Sequence, residues 1–315
     1  MPEILTVTLN PALDISTSVA QMVPEDKLRC AEPVTDPGGG GTNVARAVRL
    51  LGGDARAFVA VSGFRGDQFV ALLRDEGVTP VVFQTPGETR QSLAVINRED
   101  GAQFRFVMPG PRWSAETAFE ALEAIGGAIP QDGLVVLSGS QPPGVPVHFP
   151  TDLAALVEEK NARLILDTSG EPLRALVKGG SARHHVLRLD KAESEMLAGR
   201  ALDSLEEIAD FAQSLVRQEV AEVVILALGP RGSVLAQDGK RWHAMTEPVT
   251  VKSKVGAGDS FVGAFALSLS RGDGFDQALR WGVSAASAAV MNDATTLCAA
   301  PDVRALEASA TLRQI

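Results

Sequence analysis

Apolar positions along the chain fall into two rhythms. Short, nearly unbroken apolar runs recur at Ile4 to Leu9, Ala57 to Val61, Leu134 to Ser138, Arg163 to Asp167 and Glu222 to Leu228. Such runs predict strands covered on both faces, as in a parallel sheet flanked by helices. Between them, apolar residues return at helical spacing: Val44, Val48 and Leu51; Phe69, Leu72 and Leu73; Leu153, Leu156 and Val157; Ile208, Phe211 and Leu215. Each set makes one apolar stripe on an otherwise polar helix. Strand and helix alternate, which predicts an α/β fold with a mostly parallel central sheet. Ligands in such sheets bind at the carboxyl ends of the strands.

Two segments break the alternation. Asp14 to Val34 carries short β-like runs and no helical pattern, and Thr89 to Met108 reads as two strands, Ser92 to Asn97 and Gln103 to Val107. Their connector, Arg98-Glu99-Asp100-Gly101-Ala102, contains the Asp-Gly pair of a hairpin turn. The expectation is a single domain over residues 1–315 with a small β-sheet lid built from inserted segments 11–34 and 88–108. An edge hairpin that does not move is the alternative.

Composition narrows the function classes. The formal net charge of the 315-residue chain is -10, which disfavours a nucleic-acid partner held by phosphate neutralisation. Cys30 and Cys298 are too few and too far apart for a zinc motif or a disulfide framework. The start of the chain lacks a basic segment followed by an apolar one, and no apolar run reaches the ~18 residues of a membrane span. A cytoplasmic chain with no membrane association is expected.

The most informative short segment is Val255-Gly256-Ala257-Gly258-Asp259-Ser260, ahead of a helical stretch from Phe261 to Leu269. Residues without bulk let backbone N–H groups approach an anion. A helix start adds unpaired donors and the positive end of a dipole. A carboxylate there repels an anion, yet fits if it takes a proton from a hydroxyl attacking a phosphoryl group. The plainer alternative makes Asp259 a helix cap.

A second glycine-rich segment, Pro37-Gly38-Gly39-Gly40-Gly41-Thr42-Asn43, precedes a helix expected from near Val44. Consecutive glycines are costly in entropy and read as a backbone that approaches a ligand. Asn43 either caps the helix or meets a sugar hydroxyl. No Gly-Lys-Ser/Thr follows, so this is not a Walker loop. Asp14 is a sugar-hydroxyl ligand or a turn residue. Lys27, Arg29, Arg90 and Arg105 all fall in the lid segments, where cations would suit a distal phosphate. Ser138-Gly139-Ser140 is a tight turn after a strand, and Leu228-Gly229-Pro230-Arg231-Gly232 is either a loop against a nucleotide or a hairpin connection. Glu193 suits a water-mediated Mg²⁺ contact. His148, His184, His185 and His243 lack metal-ligand spacing and are expected at the surface.

Together these segments resemble the ribokinase-like sugar kinases, the PfkB carbohydrate kinase family, across essentially the whole chain. The two glycine loops, Gly38 to Asn43 and Gly256 to Asp259, occur in the family's order and separation. Within the family the match is to kinases of phosphorylated ketohexoses. Lys27-Leu28-Arg29-Cys30, Arg105-Phe106-Val107-Met108-Pro109-Gly110 and Asp167 with Ser169-Gly170-Glu171 carry it, as does Gly40 where many sugar kinases have lysine.

The resemblance implies a ribokinase-like three-layer α/β/α fold. It also implies an ATP- and Mg²⁺-dependent phosphotransferase acting on an alcohol group, with fructose 6-phosphate the expected acceptor and fructose 1,6-bisphosphate the product. Kinases of fructose 1-phosphate or tagatose 6-phosphate are the near alternatives. Asp259 would be the base on the sugar's C1 hydroxyl, with the N–H groups of Gly256, Ala257 and Gly258 forming an anion hole. Asp14, Gly38, Gly39, Asn43 and Ser140 would hold the sugar. Lys27, Arg29, Arg90 and Arg105 would grip its phosphate, some from a partner subunit. Arg188, Asp190, Leu228, Gly229, Gly232, Ser253 and Asn292 would line the ATP side, and Glu193 would assist Mg²⁺. A homodimer through the lid is implied, and a monovalent cation is admitted.

Four positions depart from the family pattern. Arg188-Leu189-Asp190-Lys191-Ala192-Glu193 stands for the usual Lys-Pro-Asn, two variable residues and Glu. Ala227 replaces a hydroxyl residue before Leu-Gly-Pro, and Lys254 a threonine before the catalytic loop. Arg188, Asp190, Ala227 and Lys254 all lie on the nucleotide and metal side. They motivate an alternative of another class: a sugar-phosphate or nucleotide binding protein with weakened catalysis. Retention of Asp259 speaks for an enzyme.

Overall fold

Runs such as Leu134-Val135-Val136-Leu137-Ser138 bury every residue, and alternate positions serve two separate cores. Val135 and Leu137 join one apolar cluster, Leu134 and Val136 the other. The structure, a computed structural model, describes residues 1–179, 184–293 and 295–315. In chain order come β1 (Ile4–Thr8), β2 (Ala12–Val19), β3 (Val34–Gly38), α1 (Gly40–Leu50), β4 (Arg56–Val61), α2 (Gly63–Asp75), β5 (Thr79–Gln84), β6 (Arg90–Asn97) and β7 (Gln103–Val107). Then follow α3 (Ala115–Ala128), β8 (Leu134–Ser138), α4 (Phe149–Glu159), β9 (Arg163–Asp167), α5 (Gly170–Gly179), β10 (His184–Leu189), α6 (Lys191–Ala198), α7 (Leu205–Arg217) and β11 (Ala221–Ala227). The chain closes with β12 (Ser233–Gln237), β13 (Lys240–Met245), α8 (Ala257–Ser270), α9 (Phe275–Val290), α10 (Ala300–Ser309) and β14 (Thr311–Gln314).

Among the described residues, ten strands make the large sheet, in the order β14-β13-β12-β11-β10-β9-β8-β1-β4-β5. Strands β5 to β11 of that order pair in parallel, and β12, β13 and β14 add an antiparallel edge. One face is covered by α3, α4, α5 and α7, the other by α1, α8, α9 and α10. This is the ribokinase-like three-layer α/β/α arrangement. The chain leaves β1 toward β4 and β5 on one side and later returns to β8 on the other. A crevice forms at such a reversal, beyond the carboxyl ends of the strands. Thr8, Ser138, Asp167 and Leu189 end the four strands that border it.

A separate four-stranded sheet has the order β3-β2-β6-β7. It draws β2 and β3 from the stretch after β1, and β6 and β7 from the stretch after β5. Leu13 anchors it against Phe69 and Leu73 of α2.

The structure departs from sequence expectation in several places. Helix α1 starts at Gly40 rather than near Val44, and α8 at Ala257 rather than Phe261. Both starts run through Gly with Asp, Asn, Ser or Thr, whose weak helix propensity hides them in a pattern. Strands β5, β10, β12, β13 and β14 also go beyond the runs read from sequence. His184 and His243 are buried, not at the surface, because β10 and β13 carry them into the sheet. Burial pushes the His184 imidazole down to about 4. Cys30 is exposed and Cys298 buried, each with a free thiol. Among the described residues no helix is long and apolar enough to cross a membrane.

Candidate active site

Gly256, with a left-handed φ of 73°, is the N-cap of α8, and no side chain caps the helix. Asp259 is therefore not the cap; it sits third in the helix. The first intrahelical bond runs from Ser260 N to Gly256 O at 2.8 Å. The N–H groups of Ala257, Gly258 and Asp259 thus have no acceptor inside the helix. Asp259 Oδ2 accepts from Asn43 Nδ2 at 2.9 Å. Burial pushes the Asp259 carboxyl up to about 6; the Asp167 charge adds to this, while Asn43 and Arg188 pull it down. A carboxylate poised there can accept a proton near neutral pH.

The glycine run also packs closely against the protein's own chain. A Cβ on Gly38 would lie 2.0 Å from Asp14 Oδ2, one on Gly40 would lie 2.4 Å from Ser138 Oγ, and one on Gly41 would lie 2.4 Å from Val7 O. Gly39 has φ 117° and is the N-cap of α1. The loop threads between the ends of β1 and β8, where side chains have no room. Asn43 lies inside α1, not at its cap.

Asp14 is a strand residue, paired in register with Asp36 of β3 and Ser92 of β6, rather than a turn residue. Burial raises its carboxyl, and Arg90, Ser92, Arg105 and Arg46 counter that rise. Asp14 and Arg105 line one recess with Ser92 and Val107. Arg90 donates to Asn10 O from Nε at 3.2 Å and from Nη2 at 3.1 Å. Asn10 in turn donates from Nδ2 to Ser140 Oγ at 3.1 Å. Lys27 and Arg29 stand apart, exposed in the irregular connection between β2 and β3. The cations of the small sheet are therefore not gathered in one cluster within the chain.

Three strand ends form a second group. Ser138 Oγ donates to Asp167 Oδ2 at 3.1 Å, and Arg188 Nη1 donates to Asp167 Oδ1 at 2.8 Å. Arg188 also stacks on Phe261 and lies against Gly258, whose Cβ would meet Nη2 at 3.2 Å. Burial alone would lower the Arg188 guanidinium, yet Asp167, with Glu193 and Asp259, holds it above its usual range. Among the described residues, its Nε is buried without a partner.

Beyond β10, Asp190 is the exposed N-cap of α6, accepting from Glu193 N at 2.8 Å while Glu193 Oε2 accepts from Asp190 N at 2.8 Å. This capping box accounts for both acids locally. Burial pushes Glu193 up to about 7, with Asp190 and Asp167 adding to the rise. Leu228 to Gly232 forms a short helical turn joining antiparallel β11 and β12, so the hairpin reading holds for its geometry. Ser253 is buried, its Oγ accepting from Val255 N at 3.2 Å, and Asn292 Nδ2 donates to Leu297 O at 2.8 Å. Lys254 is exposed. Among the described residues no group of three His, Cys, Asp or Glu side chains is placed to hold a metal.

Sequence reasoning overlooked three participants. Asp167 was legible as the last residue of a strand and as part of the family match, but not as a site residue, and Asn10 only as one position in a turn. Arg46 donates from Nη1 to Asn43 Oδ1 at 3.2 Å, and its spacing of three from Asn43 on a helix is the signal that could have found this contact.

A model of the pfkB family of carbohydrate kinases matches residues 7–302. The chain is 38% identical over 308 residues to ATP-dependent 6-phosphofructokinase isozyme 2 of Escherichia coli, covering 98% of this chain and 99% of the relative. It is 37% identical to the isozyme 2 of Mycobacterium tuberculosis, covering 96% of this chain and 88% of that one. It is 29% identical to 1-phosphofructokinase of Bacillus subtilis over 92% of this chain and 93% of the relative. Crystal structures of E. coli phosphofructokinase-2 superpose with TM-scores of 0.92 for a potassium complex, 0.90 for a fructose-6-phosphate complex and 0.91 for a tetrameric inhibited form. Each is 36–37% identical and covers 98% of this chain and 99% of that chain.

Proposed function

Since this chain belongs to the pfkB family of carbohydrate kinases, we propose that it transfers a phosphoryl group from ATP to the C1 hydroxyl of fructose 6-phosphate. It is a sugar kinase acting on an alcohol group, and the products are fructose 1,6-bisphosphate and ADP. The observation that carries the assignment of roles is Asp259, buried, raised to about 6 and set at the start of α8 beside unpaired N–H groups.

Asp259 Oδ2 is engaged by Asn43, which leaves Oδ1 to take the hydroxyl proton. The sugar oxygen then bonds to the γ-phosphorus as the bond to the β–γ bridging oxygen breaks, and ADP leaves. The N–H groups of Ala257 and Gly258 and the cation of Arg188 meet the charge that spreads over the phosphoryl oxygens. A guanidinium suits this because its planar fork matches two phosphoryl oxygens. Asp14, Asn43 and Ser140 hold the sugar, and Arg90 and Arg105 lie toward its phosphate. Lys27 and Arg29 reach such a phosphate only from another subunit or after the small sheet moves, which accords with their exposure.

Asp167 ends β9, and Asp190 and Glu193 follow β10, near enough that burial first, and then the charges of Asp190 and Asp167, raise Glu193. Such oxygen donors suit a hard divalent cation reached through water rather than gripped directly. Glu193 and Asp190 would hold Mg²⁺ through water, and the ion would neutralise charge on the ATP phosphates. Ser253 and Asn292 would line the ATP side.

Segments 11–34 and 88–108 act as a lid that limits water, and two copies pair through it. Exposed Phe104, Phe106, Val107 and Met108 on and after β7 support that pairing. ATP and a sugar phosphate as substrates accord with a cytoplasmic reaction.

A coupled ADP-release assay with fructose 6-phosphate, fructose 1-phosphate and tagatose 6-phosphate tests the substrate. Preference for fructose 6-phosphate is expected; no turnover of it overturns the reading. Turnover of fructose 1-phosphate alone would put the chain with the 1-phosphofructokinases.

A further inference from the structure

We infer that Arg46 is a positioning residue that locks the side-chain amide of Asn43 so that only its N–H end faces Asp259. The inference rests on Asp259 being the base of the proposed reaction. An amide has one accepting and one donating end, and the two are nearly isosteric, so a neighbour must choose between them. Arginine is a donor only. Arg46 Nη1 donates to Asn43 Oδ1 at 3.2 Å, which obliges Nδ2 to turn to Asp259 Oδ2, 2.9 Å away. Reversal would set two acceptors against each other at Asp259 and two donors at Arg46.

Arg46 is itself fixed from three directions. Its Nη1 also donates to Pro37 O at 3.2 Å, its Nε meets Glu76 Oε2 at 2.5 Å, and its Nη2 lies 3.7 Å from Asp36 Oδ1. Its side chain is only 9% exposed. Pro37 begins the glycine loop, Asp36 pairs in register with Asp14, and Glu76 ends α2. One buried cation thus ties the sugar-side strand, the glycine loop and α2 to the amide that faces Asp259.

The consequence is electrostatic. The charged groups around Asp259 are Asp167 on β9, Arg188 on β10 and Asp14 on β2, two of which oppose its ionisation. The Asn43 N–H bond favours the ionised form, so its orientation sets where Asp259 becomes a base. With a donor-only neighbour gone, the amide turns its oxygen to a protonated Asp259, and ionisation is delayed to higher pH.

The test follows the Asn43 side-chain amide by ¹⁵N NMR across about pH 4 to 8 in wild type, Arg46→Met, Arg46→Gln and Arg46→Lys, together with the pH dependence of kcat/KM. In wild type both midpoints fall near 6. Arg46→Met and Arg46→Gln raise both by about one pH unit, whereas Arg46→Lys, still donor-only, stays within a few tenths. In an Asn43→Ala background, Arg46→Met moves the kcat/KM limb no further. A lower melting temperature with unmoved midpoints in both Arg46→Met and Arg46→Gln overturns the inference and leaves Arg46 structural; so does a full shift that persists without Asn43. Gln serves if Met fails to fold. If the NMR midpoint shifts but Asp259→Asn keeps wild-type turnover, the proposed base is wrong while the locking of the amide stands.

Discussion

Arg188 and Asp167 form a nearly buried ion pair at 2.8 Å, directly beneath the start of α8. The guanidinium is centred 5.6 Å from the Phe261 ring, so an acid and an aromatic face hold it in one place. Arg188→Met removes a cation that favours ionised Asp259 and strands Asp167 without its partner. Breaking such a pair costs about 3 kcal/mol of stability. Loss of a charge aimed at the transferred phosphoryl lowers kcat by ~10²-fold. The acid limb of kcat/KM moves to higher pH, since Arg188 holds the Asp259 carboxyl down. Arg188→Lys recovers part of kcat but not the stacking on Phe261. Kinetics across pH with chemical denaturation checks all three effects; an unmoved limb in Arg188→Met would count against the pairing as a tuner of Asp259.

Asp259→Asn separates chemistry from stability. Without the base, kcat is expected to fall by ~10²- to 10⁴-fold with little change in sugar binding. Stability moves the other way. The folded carboxyl titrates at about 6 against 3.8 for an ordinary aspartate, so the native state binds more protons in that interval. Its contribution is fully present below about pH 4 and is lost as pH rises through about 6. The asparagine variant avoids that loss. Its melting temperature is expected to match wild type near pH 4 and to exceed it by a few degrees at pH 7 and above. Scanning fluorimetry across pH reads this; equal melting temperatures at every pH would mean that Asp259 is not strained by burial.

Much of this was legible in the chain. The runs from Leu134 to Ser138 and from Arg163 to Asp167 became strands with those bounds, because burial on both faces leaves an unbroken apolar signature. Asp259 and Asn43 were legible because glycines flank them. The partners that tune them were not. Asp167 and Arg188 lie 21 residues apart and meet only because β9 and β10 are neighbours in register. Strands β13 and β14, at the antiparallel end of the large sheet, mix polar and apolar positions, so their pattern is weak. The reason for the glycines was legible only in part: Gly38 makes room for Asp14, a contact set by the pairing of β2 with β3.

That contact offers a steric test. Gly38 has no left-handed backbone, so an alanine there is opposed first by Asp14, with the added Cβ 2.0 Å from Oδ2. Gly38→Ala displaces the Asp14 carboxylate, which raises KM for the sugar phosphate by ~10-fold or more while kcat falls less. Gly127→Ala in α3 is the control, because nothing lies within 4 Å of its Cβ. It is expected to be neutral or to stabilise by up to ~1 kcal/mol. Isothermal titration with fructose 6-phosphate separates the variants; equal affinities would remove Asp14 from the sugar site.

The small sheet gives a test of assembly. Strand β7 is its last strand, all five of its residues are exposed, and Phe106 is 49% exposed although it lies across from Leu93. An edge strand with bare aromatic side chains invites a second copy. Phe106→Glu places a charge at the centre of that surface. In light scattering after size exclusion, wild type is expected at twice the 33.1 kDa chain mass and the variant at the chain mass. Because Lys27 and Arg29 lie outside the cluster around Asp14 in one chain, loss of pairing is also expected to raise KM for the sugar phosphate more than KM for ATP. A variant that keeps the wild-type mass would move the interface away from β7, and one that becomes monomeric with unchanged KM values would show that each chain completes its own phosphate site.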